Sequence, residues 1–263
     1  MKIGLCTWSY NRNWASKRMT FEDIVKVCAT KLKVGGIDII ADMMPKSNRE
    51  YLLKVKKMCT DLQLAICCYS PGNNFGEPTA AARQKQVDHI KQRIDEAYVL
   101  GAPVVRIFSG WPPKDKAKTL WKPMVQCIKQ CVPTAKAAGV VLAIEPHNDG
   151  GFLPSSKETL RLIKEINSPF VGINLDTGNY HDKDMYAALE KSITYAPHIH
   201  GKIHNITAAG KEVEFNYDKI FAMLKKTGYR GFFSVEYEGH TSEDTYVPVS
   251  INMVKKMAQK YEI

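Results

Sequence analysis

Four acidic or imidazole positions close four successive apolar runs in the second half of the chain: Glu145 in LAIEPHN, Asp176 in GINLDTGNY, a histidine in HIHGKIHNI and Glu236 in SVEYEG. On a strand, side chains two residues apart share a face. Parity then groups Val141, Ala143, Glu145 and His147, with Leu142 and Ile144 opposite. A second row holds His198, His200, Lys202 and His204, against Ile199, Gly201 and Ile203. Ser234, Glu236 and Glu238 form a third, against Phe233, Val235 and Tyr237. If the polar rows face one interior, Glu145, Asp176 and Glu236 converge there and repel one another in a low dielectric. A cation in their midst relieves that repulsion. Carboxylate oxygens with one imidazole nitrogen suit a divalent ion such as Mn²⁺, Mg²⁺, Co²⁺ or Zn²⁺. A lone D-T-G aspartate is more often a helix cap or turn; in this company Asp176 reads as a ligand. Only one of His200 and His204 can stand at the ion's level, because four residues of strand separate them by roughly 13 Å. Lys202, His147 and Arg106 (in VVRIF) point inward by the same parity, placed to bind a substrate oxygen or balance the carboxylates.

The elements that must carry these residues alternate regularly. Strands are predicted at 3–8, 36–40, 64–69, 104–108, 140–145, 171–176, 198–203 and 232–237. Each is followed by helical spacing of apolar residues or by strong helix formers, as in FEDIVKVCATKL, REYLLKVKKMCTDL, ARQKQVDHIKQRIDEAYVL, KETLRLIKEI and YDKIFAMLKKTGY. Ser155 and Glu158 in SSKE read as a capping box. Glycines in LGAPV, AAGVV and TGYRG stand just past helix ends. Eight strand–helix units in 263 residues match the size of one α/β barrel, a single (β/α)8 TIM barrel over residues 1–263. A doubly wound open sheet is the runner-up, but no glycine-rich phosphate loop follows the first strand.

Composition sets outer bounds. The chain is 44% hydrophobic and 24% charged, ordinary for a soluble globular protein. Seven cysteines with no paired C-x-x-C read as reduced thiols in a cytoplasmic setting, and the adjacent Cys67 and Cys68 as buried ones. No run reaches the roughly 18 apolar residues of a membrane span. The net charge of +10 raises a nucleic-acid partner, yet the lysines are scattered through helical stretches such as KVKKM, KQCVPTAK and KKMAQK, and read as solvated surface. Trp8, Trp14 and Trp111 fall near strand ends, where aromatics either stack on sugars or pack the core, and His181 reads as a loop residue.

LAIEPHN, LDTGN, HIHGK and SVEYEG, in this order at successive strand ends, resemble the xylose isomerase-like TIM barrel superfamily of sugar (and sugar phosphate) isomerases and epimerases. The resemblance runs through nearly the whole chain and is densest from about residue 140 to 240. It implies one divalent metal ion held by Glu145, Asp176, His200 and Glu236. His200 is preferred over His204 because the family's histidine usually stands in an H-x-H-x-K context, as His198, His200 and Lys202 do. It implies a small carbohydrate substrate, with Glu145 and Glu236 doubling as the acid/base pair that moves a proton beside a carbonyl. The ketose 3-epimerases of the superfamily carry a second glutamate six residues after the first, a histidine three after the aspartate and an arginine six after the metal histidine. Here those positions are Gly151, Asn179 and Ile206. The expected substrate therefore moves toward another sugar, a polyol, a keto-glycoside or a phosphorylated compound. The alternative reaction is a keto-glycoside lyase or hydratase on the same metal barrel, and a non-catalytic sugar-binding barrel is a further reading. Apurinic-site endonucleases share the barrel, but they usually hold a three-metal cluster with extra histidines, and the loop after Asp176 offers only His181. The sequence leaves oligomeric state open.

Overall fold

The computed structural model describes residues 1–147, 149 and 151–263, so the last residue of LAIEPHN, Asn148, lies outside the described residues. Eight parallel strands close on themselves in chain order: β1 Lys2–Cys6, β2 Gly36–Ile40, β3 Ala65–Ser70, β4 Val104–Phe108, β5 Val141–Glu145, β6 Val171–Asp176, β7 His198–Ile203 and β8 Phe232–Tyr237. β1 pairs with β8 as well as β2, which removes both sheet edges. Outside run α1 Asn11–Ala15, α2 Phe21–Thr30, α3 Arg49–Asp61, α4 Ala80–Leu100, α5 Ala117–Ala138, α6 Ser156–Ile166, α7 Met185–Ser192, α8 Tyr217–Thr227 and α9 Glu243–Tyr261. This is a (β/α)8 barrel, as the alternation predicts.

Parity sorts the strands into two layers. Leu142, Ile144, Ile173, Leu175, Ile199, Ile203, Phe233, Val235 and Tyr237 are buried in the large apolar cluster shared with the helices. A separate small cluster of Cys68, Val104 and Ala143 plugs the lumen, and the polar rows stand on the same inner faces. Register sets their heights. Asp176 is level with His200, Glu236 with Lys202, and Glu145 with Phe108.

Three helix ends behave as read. Gly101, Gly139 and Gly228 cap α4, α5 and α8 in the left-handed region, at φ of 80°, 67° and 65°, where a side chain is strained. Two local expectations are corrected. β1 stops at Cys6 rather than at residue 8, because Thr7–Tyr10 coil into a 3₁₀ turn. Side-chain bonds hold that turn: the Ile40 N–H donates to Thr7 Oγ1, and Ser9 Oγ joins the Val235 carbonyl to the Tyr237 N–H. At α6, Ser155 accepts from the Lys157 N–H and donates its hydroxyl to the Glu158 carboxylate. The reciprocal capping box stands instead at α2, between Thr20 and Asp23.

Candidate metal and active site

At the C-terminal mouth of the barrel, β5, β6, β7 and β8 deliver Glu145, Asp176, His200 and Glu236 to one place. All four are buried, and one ligand atom of each lies within 4.8 Å of the other three. Donors bound to one ion at roughly 2.0–2.6 Å stand up to about 5 Å apart across it. The four atoms fit that geometry. His200 Nδ1 sits 3.5 Å from both Glu145 Oε2 and Glu236 Oε1. Among the described residues, His200 Nδ1 is buried without a hydrogen-bond partner, and Asp176 Oδ2 is buried with only the Lys202 ammonium beside it, 3.1 Å away. A buried ring nitrogen without a partner is uncommon in folded chains, and beside three carboxylates it suits a cation.

The histidine's other nitrogen has a definite job. Asp38, at the centre of β2, is fully buried, and its Oδ2 lies 2.6 Å from His200 Nε2. Ser70 Oγ donates to Asp38 Oδ1 at 2.7 Å, and His198 Nε2 is 3.4 Å from Oδ2. A carboxylate holding one ring nitrogen directs the other, Nδ1, toward the ion site. Sequence reading missed Asp38. The signal was present in GIDII, where one acid interrupts an apolar strand with Ile37 and Ile39 on the opposite face.

The carboxylates have protein cations as well. Lys202 Nζ lies 2.6 Å from Glu236 Oε2, 2.8 Å from Glu238 Oε2 and 3.1 Å from Asp176 Oδ2. Arg106 Nε is 3.3 Å from Glu145 Oε2, its guanidinium 4.0 Å above the Phe108 ring. Asn174 and Asn179 donate to the two Glu145 oxygens at 3.0 and 3.3 Å. Among the described residues, Asp38, Glu145, Asp176, Glu236 and Glu238 thus face only Lys202 and Arg106 as permanent positive charges. A divalent ion bound among them would offset most of the remainder.

These surroundings separate the acids. Burial pushes the Asp176 carboxyl up to about 7, against the pull of Lys202 and with repulsion from Glu236 and Glu145 adding to the rise. Burial pushes Glu236 up too, but Lys202 and His200 outweigh it and hold the group well below the usual carboxylate range. For Glu145 burial is likewise overcome, by His200 and Arg106. Burial alone would lower His200; Glu236, Glu145 and Asp38 reverse that and hold the ring protonated well above its ordinary range in the metal-free chain.

His204 does not join the cluster. Its ring lies farther out, bonded to Glu214 at 3.1 Å and Glu238 at 3.3 Å. His147 stands at the rim, its Nδ1 2.7 Å from Asp149 and its ring edge-on to Phe108 and Trp111. His181 is exposed, and Trp14 packs against the core. Trp8 projects into the mouth, 39% exposed. A chamber of about 230 Å³ opens over the cluster, lined by Glu145, Glu236, Arg106, His147, Lys202 and Trp8 among others. No described helix is long and apolar enough to cross a membrane.

Known proteins resemble this chain in sequence or in fold. A stretch of 59 residues is 37% identical to the C-glycoside deglycosidase alpha subunit of Arthrobacter globiformis; it is 22% of this chain and spans only 17% of that protein. The structure is similar to D-psicose 3-epimerase from Clostridium cellulolyticum H10, at a TM-score of 0.79 and 17% identity over 99% of this chain and 96% of the other. It is also similar to a 3-keto-D-glucoside 4-epimerase from E. coli, at a TM-score of 0.75 and 17% identity over 98% and 99%. At such identities these two structures speak to the fold alone. The family model described as xylose isomerase-like TIM barrel matches residues 29–257, nearly the whole barrel including all four strand-end donors. With that match and its closed eight-stranded barrel, the chain belongs to the xylose isomerase-like TIM barrel family.

Proposed function

We propose that the protein is a divalent-metal-dependent isomerase or epimerase of a sugar or sugar derivative, moving a proton at a carbon next to a carbonyl. The observation that carries this reading is the gathering of Glu145, Asp176, His200 and Glu236 within 4.8 Å under a chamber of single-ring size. A divalent ion, held by those four, would supply positive charge for the oxyanion that develops as the proton leaves carbon. The protein's own groups do the rest. Glu145 and Glu236 come from different strands, β5 and β8, so that one carboxylate takes a proton from one face of the carbon while the other, in its protonated form, delivers a different proton to the opposite face. Either can act as the base, because His200, Arg106 and Lys202 stabilise the charged forms of both, and the one that delivers a proton first takes it up from solvent. Lys202 and Arg106 are positioned to hold substrate oxygens, and His147 with Phe108 forms the wall on which a ring packs.

Incubation of the Mn²⁺- or Co²⁺-loaded protein with a panel of ketoses, aldoses and keto-glycosides in D₂O tests this directly. Exchange of a C–H proton for deuterium, reduced about 10²–10⁴-fold by Glu145→Gln or Glu236→Gln, is expected for groups that move the proton. No exchange across the panel sinks the reading. A second reading has its own support: Gly151, Asn179 and Ile206 replace the ketose 3-epimerase residues, and the 59-residue match is to a C-glycoside deglycosidase subunit. On that reading proton removal is followed by loss of a group one carbon further on, and cleavage of a 3-keto-glycoside distinguishes it from epimerisation.

A further inference from the structure

The chamber above the four donors is not closed on the side of β1 and β8. Trp8 and Glu238 line it, and both also line a second cavity of about 620 Å³ outside. The Trp8 indole N–H donates to Glu238 Oε1 at 3.1 Å, so the two side chains form a ridge with a hollow on each side. Resting on the function proposed above, we infer that the outer hollow is a second subsite and that the substrate is a glycoside. Its reacting ring sits in the inner chamber, and its aglycone, a sugar or aromatic ring, lies across Trp8 in the outer one.

Size, chemistry and charge agree on this. The inner chamber is smaller than the ~300–1,000 Å³ of sites that bury drug-sized ligands, so a larger substrate must extend beyond it. The outer hollow joins a half-exposed indole to short polar groups of both kinds: His204, Asn205, Glu214 and His240. An aromatic face with convergent donors and acceptors recognises a hydroxylated or aromatic ring. A phosphate is disfavoured. The cavity's arginine, Arg12, already donates to the carbonyls of Gly239 and Thr241 and pairs with Glu243 at 3.2 Å, while Glu214 and Glu238 add negative charge.

Glycoside chemistry rules out the anomeric carbon as the carbonyl. The anomeric carbon of a glycoside is an acetal, so proton removal needs a ketone elsewhere on the ring, and an oxidation of a ring hydroxyl by another enzyme must come first. The step here is redox-neutral. A C–H bond beside the ketone breaks, its electron pair moves onto the carbonyl oxygen, a glutamate carboxylate takes the proton, and reprotonation at carbon restores the ketone.

The test uses the metal-loaded full chain in D₂O with 3-ketoglucose, methyl 3-keto-β-glucoside and phenyl 3-keto-β-glucoside. Deuterium exchange is expected to gain at least tenfold in kcat/KM from the methyl to the phenyl glycoside, chiefly through KM. His240→Trp, which fills the outer hollow from an exposed position, is expected to abolish that gain. Equal kcat/KM for all three sugars, or a preference that survives both His240→Trp and Trp8→Ala, overturns the subsite while leaving the proposed reaction standing. If none of the sugars exchanges, the reaction falls and binding decides the subsite. Phenyl β-glucoside quenching tryptophan fluorescence where glucose does not, with the effect lost in Trp8→Ala, supports it; no quenching by either overturns it.

Discussion

Asp38 illustrates how one residue governs a site it does not enter. Its carboxylate holds His200 Nε2 at 2.6 Å, so the imidazole presents Nδ1 between Glu145 and Glu236. Asp38→Asn keeps the volume but loses the charge that fixes the ring, and metal affinity is expected to fall about 10–100-fold, as for other partners behind a metal ligand. Titration against a competing chelator measures this; an unchanged dissociation constant in the folded variant contradicts it. Asp176 gives a second prediction, in pH. Its carboxyl titrates at about 7 in the metal-free fold, above the roughly 3.9 of an unfolded chain. Between those values the folded state holds a proton that the unfolded state has released, so the contribution of Asp176 to metal-free stability is fully present below the lower value and is lost as pH rises through 7. An ion needs the ionised form, so its affinity runs the other way, weakening about tenfold per pH unit below 7 for one displaced proton. Protonation of His200 pushes in the same direction. Calorimetric titrations at pH 5.5, 6.5 and 7.5 check it, and a pH-independent affinity contradicts it.

Among the elements, strands were legible where apolar alternation and glycine-capped helices bracketed them. β4, β6, β7 and β8 stand where the pattern puts them, and the inward row His198, His200, Lys202 follows from a period of two. What escaped was set by contacts between distant segments. The end of β1 depends on Ser9 bonding to β8, and Asp38 gains its meaning only when β2 and β7 face each other across the lumen. Glu158 bonds to its own cap rather than reaching the backbone, a choice between two local partners that spacing cannot settle. The helix ends make a test separate from the site. At Gly139, φ is 67° and an added Cβ meets nothing within 4 Å, so Gly139→Ala is expected to cost about 1–2 kcal/mol from backbone strain alone. Urea denaturation reads this. An unchanged midpoint would mean that the end of α5 relaxes.

For the whole molecule, the barrel explains why donors nearly a hundred residues apart meet. Closure in chain order brings successive strand ends around one mouth, and the register of β6 with β7 sets Asp176 level with His200. The same closure makes the site a concentration of negative charge in a chain whose net charge is +10. Lys202 and Arg106 compensate part of it. An ion bound at the four donors would balance most of the rest, and stripping it should lower Tm in wild type more than in Asp176→Asn, where one charge is already gone.

Everything functional rests on a single divalent cation being shared by side chains that four neighbouring strands bring to the barrel mouth. Elemental analysis after dialysis against Mn²⁺ or Zn²⁺, run on wild type, His200→Ala and His204→Ala, addresses this most directly. One ion per chain in wild type and His204→Ala, with loss in His200→Ala, is the predicted result; no stoichiometric ion in wild type, or loss only in His204→Ala, would contradict it.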